Sequence, residues 1–559
     1  MSQDRLLLSG DEAVALAALH AGVSLGTGYP GTPSTEILEA FSQRGGRAQW
    51  SPNEKVALEV ALGSSYAGAA TLVTMKHVGV NVAADPLFTA AYTGVSGALV
   101  LVSADDPGMA SSQNEQDNRR YAEAAGLPML EPADSQEAYD FTLAALEISH
   151  RWQCPVMLRI TTRVCHSKTI VQPRLGVAAV RQAHGPEQGR RANAAATAPV
   201  PPASAGGFPT TPTFHRDIKS RVMIPAYAKL AHRRLRKKLA EMQEWNETSD
   251  LNKVIEPHGE PSPKFGIIAS GISYMHAREA APSASILKLG MTYPLPLRRI
   301  AEFVKSVDRC VVIEEGDPYL VNAISAAGLA VEGKDEMYRF GELDVRRVRR
   351  IIDKDNTPEA APSPGKPPQL CVGCPHRKVF EALSRLDCIV SGDIGCYTLG
   401  VLPPFERMDT CVCMGASIGV GLGMRHVLGD GQARHVVSVI GDSTFVHSGL
   451  TGLVEMVYNP PATGHLVIVL DNATTAMTGL QEHPGTGRKL DHSQTNQLVI
   501  EDVIRAMGID VQVIDPMKDD ASLDQSIDSA LAGNKLNVII AHRPCLLATA
   551  KIKQYEAKA

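Results

Sequence analysis

Oxygen-bearing side chains follow two apolar segments in the last third of the chain. Asp442 comes directly after Val439-Ile440-Gly441, and Asn472 stands thirty residues later, in the string Leu470-Asp471-Asn472-Ala473-Thr474. A strand, a glycine turn and a helix start present backbone N–H groups that hold phosphates. Mg²⁺ prefers oxygen ligands and leaves its other positions to diphosphate oxygens and water. The spacing predicts a diphosphate and Mg²⁺ site whose ligands are Asp442, the Asn472 side chain and the Thr474 carbonyl.

A simpler interpretation of the same residues is also open. Gly441-Asp442-Ser443 on its own fits an ordinary strand-to-helix turn capped by the aspartate or the serine. The spaced Asp471-Asn472 pair favours the metal site over that alternative.

Cysteines form a second candidate group. Cys371 and Cys374 lie in a Pro- and Gly-rich loop as Cys-Val-Gly-Cys, Cys396 follows a glycine turn and Cys545 follows the last strand. A Cys-x-x-Cys pair binds either zinc or an iron–sulfur cluster, and spacing alone leaves both open. The remaining six cysteines are predicted to be buried thiols: Cys154, Cys165, Cys310, Cys388, Cys411 and Cys413.

Four N-terminal segments carry further polar groups. Glu54 opens an Ala-rich helix, where a glutamate is usually a dipole-matched cap. The proline turn of residues 28–35 could equally cap the helix that follows it. His77 is either a proton shuttle or a structural histidine. Arg119 and Arg120 are predicted to be solvated surface, with placement of an arginine against a carboxylate or coenzyme A as the alternative.

Apolar strands alternate with Ala-rich helices along the chain, and this pattern predicts how the chain divides into domains. It predicts a parallel α/β domain over residues 1–171, because continuous apolar strands between helices are typical of sheets covered on both faces. Residues 172–263 are predicted to be a Pro- and Ala-rich linker with one basic helix over Ala231 to Glu247. Residues 264–354 form a smaller α/β domain, 355–368 a second linker and 369–559 a second large parallel α/β domain.

Composition excludes several classes of protein. With 44% apolar and 21% charged residues and a net charge of −5, the chain of 559 residues is globular and has no global attraction to nucleic acid. The N-terminus lacks a signal-peptide core, and the apolar runs are too short for membrane helices. We expect a cytoplasmic location.

The basic run of residues 232–238 is expected to be a solvated helix face, with contact to a partner or an anionic ligand as the alternative.

Longer strings resemble a known family. They are SGDIGCYTLGVLPP (391–404), MDTCVCMGASIG (408–419), GDSTFVHSGLTG (441–452) and LDNATTAMTG (470–479). They are similar to the diphosphate domain of indolepyruvate:ferredoxin oxidoreductase large subunits, with Ser443 in place of the usual second glycine. The resemblance implies two domains of the thiamine-diphosphate-binding type with a smaller transketolase C-terminal-like domain between them. It also implies cofactor-binding residues, namely Gly395, Gly415, Gly441, Ser443 and Met477.

The resemblance also implies roles in the N-terminal domain. Glu54 matches the glutamate that hydrogen-bonds to N1′ of the aminopyrimidine. Thr32, and with it Ser34, matches the turn that binds the 2-oxoacid carboxylate, and His77 lies in a string that passes the active centre. The expected reaction is oxidative decarboxylation of an arylpyruvate, with coenzyme A as co-substrate and an arylacetyl-CoA as product.

In related pyruvate:ferredoxin oxidoreductases, cysteines at four matching positions bind one [4Fe–4S] cluster, which implies that Cys371, Cys374, Cys396 and Cys545 do so here. Two features depart from the family pattern. The chain ends fourteen residues after Cys545, without the ferredoxin-like segment of eight cysteines, and His376 stands where the pyruvate enzymes have an acidic residue. Electrons are therefore expected to leave through this cluster, or through clusters on a partner, to ferredoxin or another acceptor.

The small catalytic subunit is expected to be a separate chain, in a heterotetramer or larger assembly. Two other functions remain open at this point. A non-oxidative thiamine-dependent decarboxylase or synthase would share Asp442, Asn472 and a glutamate but would not need the cysteines. A non-catalytic cofactor-binding scaffold would not need Glu54 and Thr32. The preferred arylpyruvate, the acceptor and the choice between acyl-CoA and free acid are not specified by these residues.

Overall fold

The computed structural model describes residues 5–173, 212–257, 265–360, 365, 367–518 and 520–558. The chain divides into two compact units, one made of residues 1–49 and 54–359 and the other of residues 50–53 and 360–559. The predicted domain boundaries remain predictions, and residues 174–211 and 258–263 of the Pro- and Ala-rich segment lie outside the described residues. Among the described helices none is both long and apolar enough to cross a bilayer.

The strands are β1 (Leu6–Ser9), β2 (Leu25–Gly28), β3 (Ala48–Trp50), β4 (Ala70–Lys76), β5 (Ala98–Asp105), β6 (Met129–Leu130), β7 (Val156–Thr161), β8 (Lys168–Val171), β9 (Lys253–Ile255), β10 (Phe265–Ser270), β11 (Ser285–Leu289), β12 (Met291–Tyr293), β13 (Arg309–Ile313), β14 (Ile389–Gly392), β15 (Thr410–Cys411), β16 (Val436–Gly441), β17 (His465–Asp471), β18 (Asp510–Ile514) and β19 (Leu536–His542).

The helices are α1 (Gly10–Ala21), α2 (Thr35–Gln43), α3 (Glu54–Tyr66), α4 (His77–Val82), α5 (Ala84–Thr93), α6 (Asn118–Ala125), α7 (Ser135–Trp152), α8 (Thr162–His166), α9 (Ile218–Arg221), α10 (Pro225–Asn246), α11 (Gly271–Ala280), α12 (Leu297–Lys305), α13 (Leu320–Ala326), α14 (Val345–Ile352), α15 (His376–Arg385), α16 (Ala416–Val427), α17 (Asp430–Ala433), α18 (Asp442–Thr444), α19 (Leu450–Tyr458), α20 (Ile500–Ala506), α21 (Asp520–Ala532) and α22 (Leu546–Lys558). Short 3₁₀ turns cover Glu336–Arg339, Cys396–Val401 and Pro484–Thr486, and a π turn covers Phe445–Gly449.

The first unit contains a seven-stranded sheet in the order β12-β6-β7-β5-β4-β2-β3. Strands β6, β7, β5, β4 and β2 run parallel, while β12 joins the edge antiparallel to β6. All the residues of β4, β5 and β7 are buried, as expected of strands covered on both faces. The sequence did not predict β12, which lies between β11 and β13 in the chain.

The middle sheet has the order β13-β10-β11-β9, with β9 antiparallel at its edge. It belongs to the same compact unit as the first sheet, because one continuous apolar cluster includes Met129 and Leu101 of the first sheet together with Ile268 and Leu287 of the middle one. Helix α10 packs on this cluster through its buried apolar residues Leu235, Leu239 and Met242.

The polar face of α10 agrees with the prediction of a solvated surface. Five of the six basic residues in the run 232–238 are exposed, and Lys238 is half-buried with its ammonium donating to the Gln153 carbonyl at 3.1 Å. The prediction for Arg119 was wrong. Its side chain is buried in the first unit, paired with Asp117 at 2.7 Å and with Glu314 at 2.6 Å. Arg120 is exposed as predicted.

The second unit has a six-stranded, wholly parallel sheet in the order β15-β14-β16-β17-β19-β18. Apolar side chains from β16, β17 and β19 fill a cluster on each face, as the predicted fold class requires. The chain thus has two parallel α/β sheets of the thiamine-diphosphate-binding type and a smaller α/β sheet between them in sequence. The carboxyl ends of neighbouring strands meet at one edge, where ligands bind in such sheets.

Candidate functional site

Asp442 and Asn472 lie at the same edge of the second sheet. Gly441 of β16 is in register with Leu470 of β17, so Asp442 and Asn472 follow the ends of two hydrogen-bonded neighbours. Both side chains are buried, as is that of Thr474. The structure therefore places the three predicted Mg²⁺ ligands on two adjacent strand ends, as the sequence spacing predicts.

The loop after β17 has a local geometry that gathers oxygen atoms. Ala473 adopts a left-handed backbone with φ of 57°, which a residue with a side chain rarely adopts. The turn lets Asn472 Oδ1 accept the Thr474 N–H at 3.2 Å, and the Thr475 hydroxyl donates to Ser443 Oγ at 2.8 Å. Ser443 is thus tied to the opposite strand end instead of capping its own helix.

Two histidines contact this ligand set. The sequence marked His376 only as a departure from the family pattern and gave no signal for His483. Nε2 of His376 lies 3.3 Å from Asn472 Nδ2, and burial lowers the pKa of His376 to about 4. The imidazole is therefore neutral and accepts the amide N–H, which leaves Asn472 Oδ1 facing away from it. Nε2 of His483 lies 3.2 Å from Asp442 Oδ2. Burial raises the pKa of the Asp442 carboxyl, and His483 opposes that shift.

Asp393 organises the glycine-rich loops beside these strands. It follows β14, is buried, and accepts N–H groups from Gly415 at 2.9 Å and Ser417 at 3.0 Å. Gly415 has φ of 86°, and a Cβ there would lie 2.4 Å from Ser448 Cβ, so only glycine fits. Helix α16 starts at Ala416, whose N–H donates to the Cys413 carbonyl at 3.1 Å, so Asp393 and that carbonyl together hold the first turn of the helix.

The Tyr397 ring packs against two of the predicted cofactor-binding glycines, Gly395 and Gly441. A Cβ on Gly395 would lie 2.3 Å from the Tyr397 ring, and one on Gly441 would lie 2.6 Å from it. Met477, the predicted cofactor-binding residue with a large apolar side chain, is 52% exposed. Together the buried oxygen donors at two adjacent strand ends and the glycine-rich loops held beside them by Asp393 fit a magnesium-bound diphosphate.

The four predicted cluster cysteines come together at the same edge. Cys396 follows β14, Cys545 follows β19, and Cys371 and Cys374 lie in the loop before α15. Burial, together with the thiols of Cys545, Cys374 and Cys371, raises the pKa of Cys396 to about 11. Burial, Cys371 and Cys545 likewise raise the pKa of Cys374. Each of these two thiols is thus affected by other members of the quartet, in keeping with their placement at one edge of the sheet.

Two contacts connect the cysteines with the metal-ligand loop and with each other. The Cys545 N–H donates to the Asn472 carbonyl at 2.9 Å, and the Cys374 N–H donates to the Cys371 carbonyl at 3.1 Å. A Cβ on Gly373 would lie 3.2 Å from Leu546, so the Cys-x-x-Cys turn packs on the start of α22.

Two of the six cysteines predicted to be buried are exposed, Cys411 and Cys413. Cys411 ends β15, a two-residue strand at the edge of the sheet, and Cys413 lies in the turn before α16. Edge strands leave one side unpaired, which explains the exposure. Cys154, Cys165, Cys310 and Cys388 are buried as predicted.

In the first unit, the proline turn and the segment of Lys76 and His77 follow neighbouring strands. Gly28 of β2 is in register with Thr74 of β4. The Ser34 hydroxyl donates to the Gly31 carbonyl at 2.8 Å, the Thr35 hydroxyl accepts the Gly31 N–H at 2.9 Å, and Thr32 is half-buried. Ser34 therefore holds the turn together, and Thr32 is the more accessible of the two predicted substrate ligands.

Glu54 starts α3 and is 4% exposed. Its carboxylate packs directly on Gly79 of α4, where a Cβ would lie 2.6 Å from Glu54 Cγ and 2.7 Å from Oε1. Gly79 is therefore a residue that positions Glu54, and the sequence carried no signal for it.

His77 is fully buried, and its Nε2 lies 3.0 Å from the Asn114 carbonyl. The ring therefore donates from Nε2, and within the described part of the chain Nδ1 has no hydrogen-bond partner. Lys76 donates to the Ser111 carbonyl at 2.6 Å, while burial lowers the pKa of Lys76. These two contacts hold the loop after β5 beside the proline turn.

Comparison with known proteins agrees with this description. The family model for pyruvate flavodoxin/ferredoxin oxidoreductase, thiamine diphosphate-binding, matches residues 16–232. The model for the C-terminal TPP-binding domain of thiamine pyrophosphate enzymes matches residues 393–541. The fold and the site define an oxidoreductase of the thiamine-diphosphate-dependent 2-oxoacid:ferredoxin type.

Comparison with individual curated proteins identifies the family within this class. The chain is 38% identical to indolepyruvate oxidoreductase subunit IorA of Archaeoglobus fulgidus over 99% of its own length and 89% of that protein. It is 37% identical to the protein of the same name in Pyrococcus abyssi, over 97% and 86%. The chain belongs to the indolepyruvate oxidoreductase subunit IorA family. A structure of 2-oxoglutarate:ferredoxin oxidoreductase from Magnetococcus marinus, with 2-oxoglutarate, coenzyme A and succinyl-CoA bound, aligns at 17% identity and a TM-score of 0.48 over 63% of this chain and 65% of that one.

Proposed function

We propose that this chain is the large catalytic subunit of an enzyme that oxidatively decarboxylates an aryl 2-oxoacid to an arylacetyl-CoA. We further propose that it passes the electrons through one [4Fe–4S] cluster to ferredoxin or a similar acceptor. One observation carries this proposal. The ends of four successive parallel neighbours, β14, β16, β17 and β19, supply Cys396, Asp442, Asn472 and Cys545 to one edge of one sheet. A metal-bound diphosphate site and a redox site would then share that edge.

On the diphosphate side, Asp442, Asn472 and the Thr474 carbonyl would hold Mg²⁺, and the glycine-rich loops beside them would face the phosphate oxygens. His376 holds the Asn472 amide so that its oxygen is presented, and Asp393 keeps the loop around Gly415 in place. Bound thiamine diphosphate supplies a carbon nucleophile that also stabilises the charge left by loss of CO₂.

In the first unit, the Glu54 carboxylate would accept a hydrogen bond from N1′ of the aminopyrimidine and thereby hold a proton at that atom. Its contact with Gly79 fixes the position of the carboxylate. The Thr32 hydroxyl would donate to the substrate carboxylate, and the turn held by Ser34 would orient it. In His77, Nδ1 is the ring nitrogen that could accept a proton, because the Nε2–H already donates to the Asn114 carbonyl.

The number and the placement of the thiols support an iron–sulfur cluster. Cys396 and Cys545 follow two strands at the same sheet edge, and Cys371 and Cys374 lie in the loop before α15. A [4Fe–4S] cluster requires four thiolates, and metal analysis separates it from zinc, which four thiolates also bind. The cluster would supply the nearby one-electron acceptor.

The remaining parts of the proposal concern the assembly. A separate small subunit would complete the coenzyme A and aryl pockets in a heterotetramer or larger complex, because the curated relatives are subunits by name. A cytoplasmic location suits an oxygen-sensitive cluster held by free thiols.

The test is anaerobic co-purification of the chain with its small subunit, followed by an assay of acceptor reduction with coenzyme A. Indolepyruvate and phenylpyruvate should each support reduction at rates well above those with pyruvate or 2-oxoglutarate. CO₂ release without acceptor reduction, with equal rates for iron-free and iron-loaded protein, would establish the alternative of a non-oxidative decarboxylase.

A further inference from the structure

Three side chains from separate helices of the first unit converge at a place that the proposed reaction does not use. Asp11 lies in the first turn of α1, Glu36 in the first turn of α2 and His166 at the end of α8. One carboxylate oxygen of Asp11, one of Glu36 and one ring nitrogen of His166 all lie within 4.8 Å of one another. This trio is called the Asp11 cluster below.

Asp11 is the unusual member. Its side chain is 0% exposed, and in the described part of the chain neither carboxylate oxygen has a hydrogen-bond partner. Burial raises the pKa of Asp11 well above its usual range, and the Glu36 carboxylate raises it further. The neighbouring Cys165 thiol lowers that pKa, but a thiol is a weak donor. A buried carboxylate without a partner is costly unless a cation compensates it.

No side chain of the described residues supplies that cation. Lys168, which lies close in sequence to His166, has its ammonium 3.5 Å from the carboxylate of Glu12. The side chains of Glu36 and His166 are exposed and engage in no hydrogen bond or ion pair within the described ranges. Two carboxylates and an imidazole therefore face one small volume with no positive group between them.

We propose that the Asp11 cluster binds a divalent transition-metal ion, with Zn²⁺ as the best-matched ion. One imidazole and two carboxylates are a ligand set that zinc accepts, and water completes the tetrahedron. Zinc bonds of about 2.1 Å to nitrogen and oxygen bring the ligand atoms to about 3.4 Å apart. The exposed side chains of Glu36 and His166 have the freedom to close that distance, while Asp11 is fixed by its burial.

Such an ion would join side chains of three separate helices. Helix α2 follows the proline turn directly, so a metal bound at Glu36 would tether the turn of residues 29–34 to the start of α1 and to α8. The role is structural, and it does not depend on the proposed reaction.

Zinc content and thermal unfolding test the proposal. Untagged, cluster-loaded complex is dialysed against micromolar Zn²⁺ and analysed by mass spectrometry, for the wild type and for Glu36→Gln and His166→Gln. His435→Gln, a change at an exposed histidine of the second unit, is the matched control. Wild type and control should hold one more zinc per chain than the other two variants, and zinc should raise their melting temperatures further. Equal zinc in all four proteins would overturn the proposal.

Asp11→Asn gives an independent signature. Without metal, folding near neutral pH costs the free energy of burying or protonating the Asp11 carboxylate. The amide avoids that cost, so the variant should melt at a higher temperature than the metal-free wild type. With zinc the order should reverse, because the wild type gains the ion and the variant does not. If Asp11→Asn responds to zinc as the wild type does, the assignment is wrong. Should it fail to fold, the two variants at exposed positions still decide the question.

Discussion

Replacing Gly79 with alanine adds one methyl group next to the Glu54 carboxylate, which the proposed mechanism needs. The added Cβ would lie 2.6 Å from Glu54 Cγ and 2.7 Å from Oε1, whereas ordinary contact begins at about 3.4 Å. Glu54 must therefore shift by about 0.8 Å. A misplacement of about 1 Å at a reacting group can cost about 100-fold in rate, which corresponds to about 2.7 kcal/mol in the barrier.

The cost in stability should be smaller. Overpacking a tight site costs about 1–3 kcal/mol, and alanine regains up to about 1 kcal/mol of helix propensity in α4. The matched control is Gly63→Ala, an exposed glycine in α3 with nothing within 4 Å of the added Cβ. That variant should be slightly more stable and fully active.

The assay is exchange of the thiazolium C2 proton with deuterium in the bound cofactor, followed by NMR, with urea unfolding in parallel. Gly79→Ala should fold, retain thiamine diphosphate and exchange about 100-fold more slowly than Gly63→Ala. Exchange at the wild-type rate in a folded Gly79→Ala protein would refute the argument that this contact positions the catalytic carboxylate.

Three further outcomes follow from the site. Asp442→Ala should lose cofactor retention with an unchanged far-UV circular dichroism spectrum, because the lost group holds an ion and not the core; full cofactor occupancy would remove Asp442 from the metal site. Glu54→Gln should bind cofactor but slow C2 exchange by orders of magnitude, since an amide cannot stabilise a proton at N1′, and an unchanged exchange rate would contradict that role. The chain without its small subunit should bind or slowly decarboxylate arylpyruvates, and complete acceptor reduction by the chain alone would show that no partner is needed.

The parallel sheets were predictable because their strands are continuous apolar runs, which local patterns reveal. The predicted strand 466–470 is observed as His465–Asp471, and Asp442 and Asn472 lie together because parallel register follows from the alternation of strands and helices. Strand β12 escaped prediction, since three residues carry little pattern and its partner β6 lies far away in sequence.

Residues defined by long-range contacts also escaped prediction. Asn472 contacts His376 across 96 residues, and Asp442 contacts His483 across 41. Arg119 looked like solvated surface because its partner Glu314 is 195 residues away. Residue type and spacing identify side chains that can bind a metal. Only the folded structure shows which residues, distant in sequence, form hydrogen bonds with those side chains.

The most direct test of the central claim is the iron content and substrate response of anaerobically purified complex, with Cys374→Ser beside the wild type. The quartet should contribute about four irons per chain, and indolepyruvate without any acceptor should bleach the cluster absorbance. Cys374→Ser should lose most of that iron and the bleaching while keeping thiamine diphosphate. Iron-free protein with full oxidoreductase activity, or stoichiometric zinc at the four cysteines, would contradict the account.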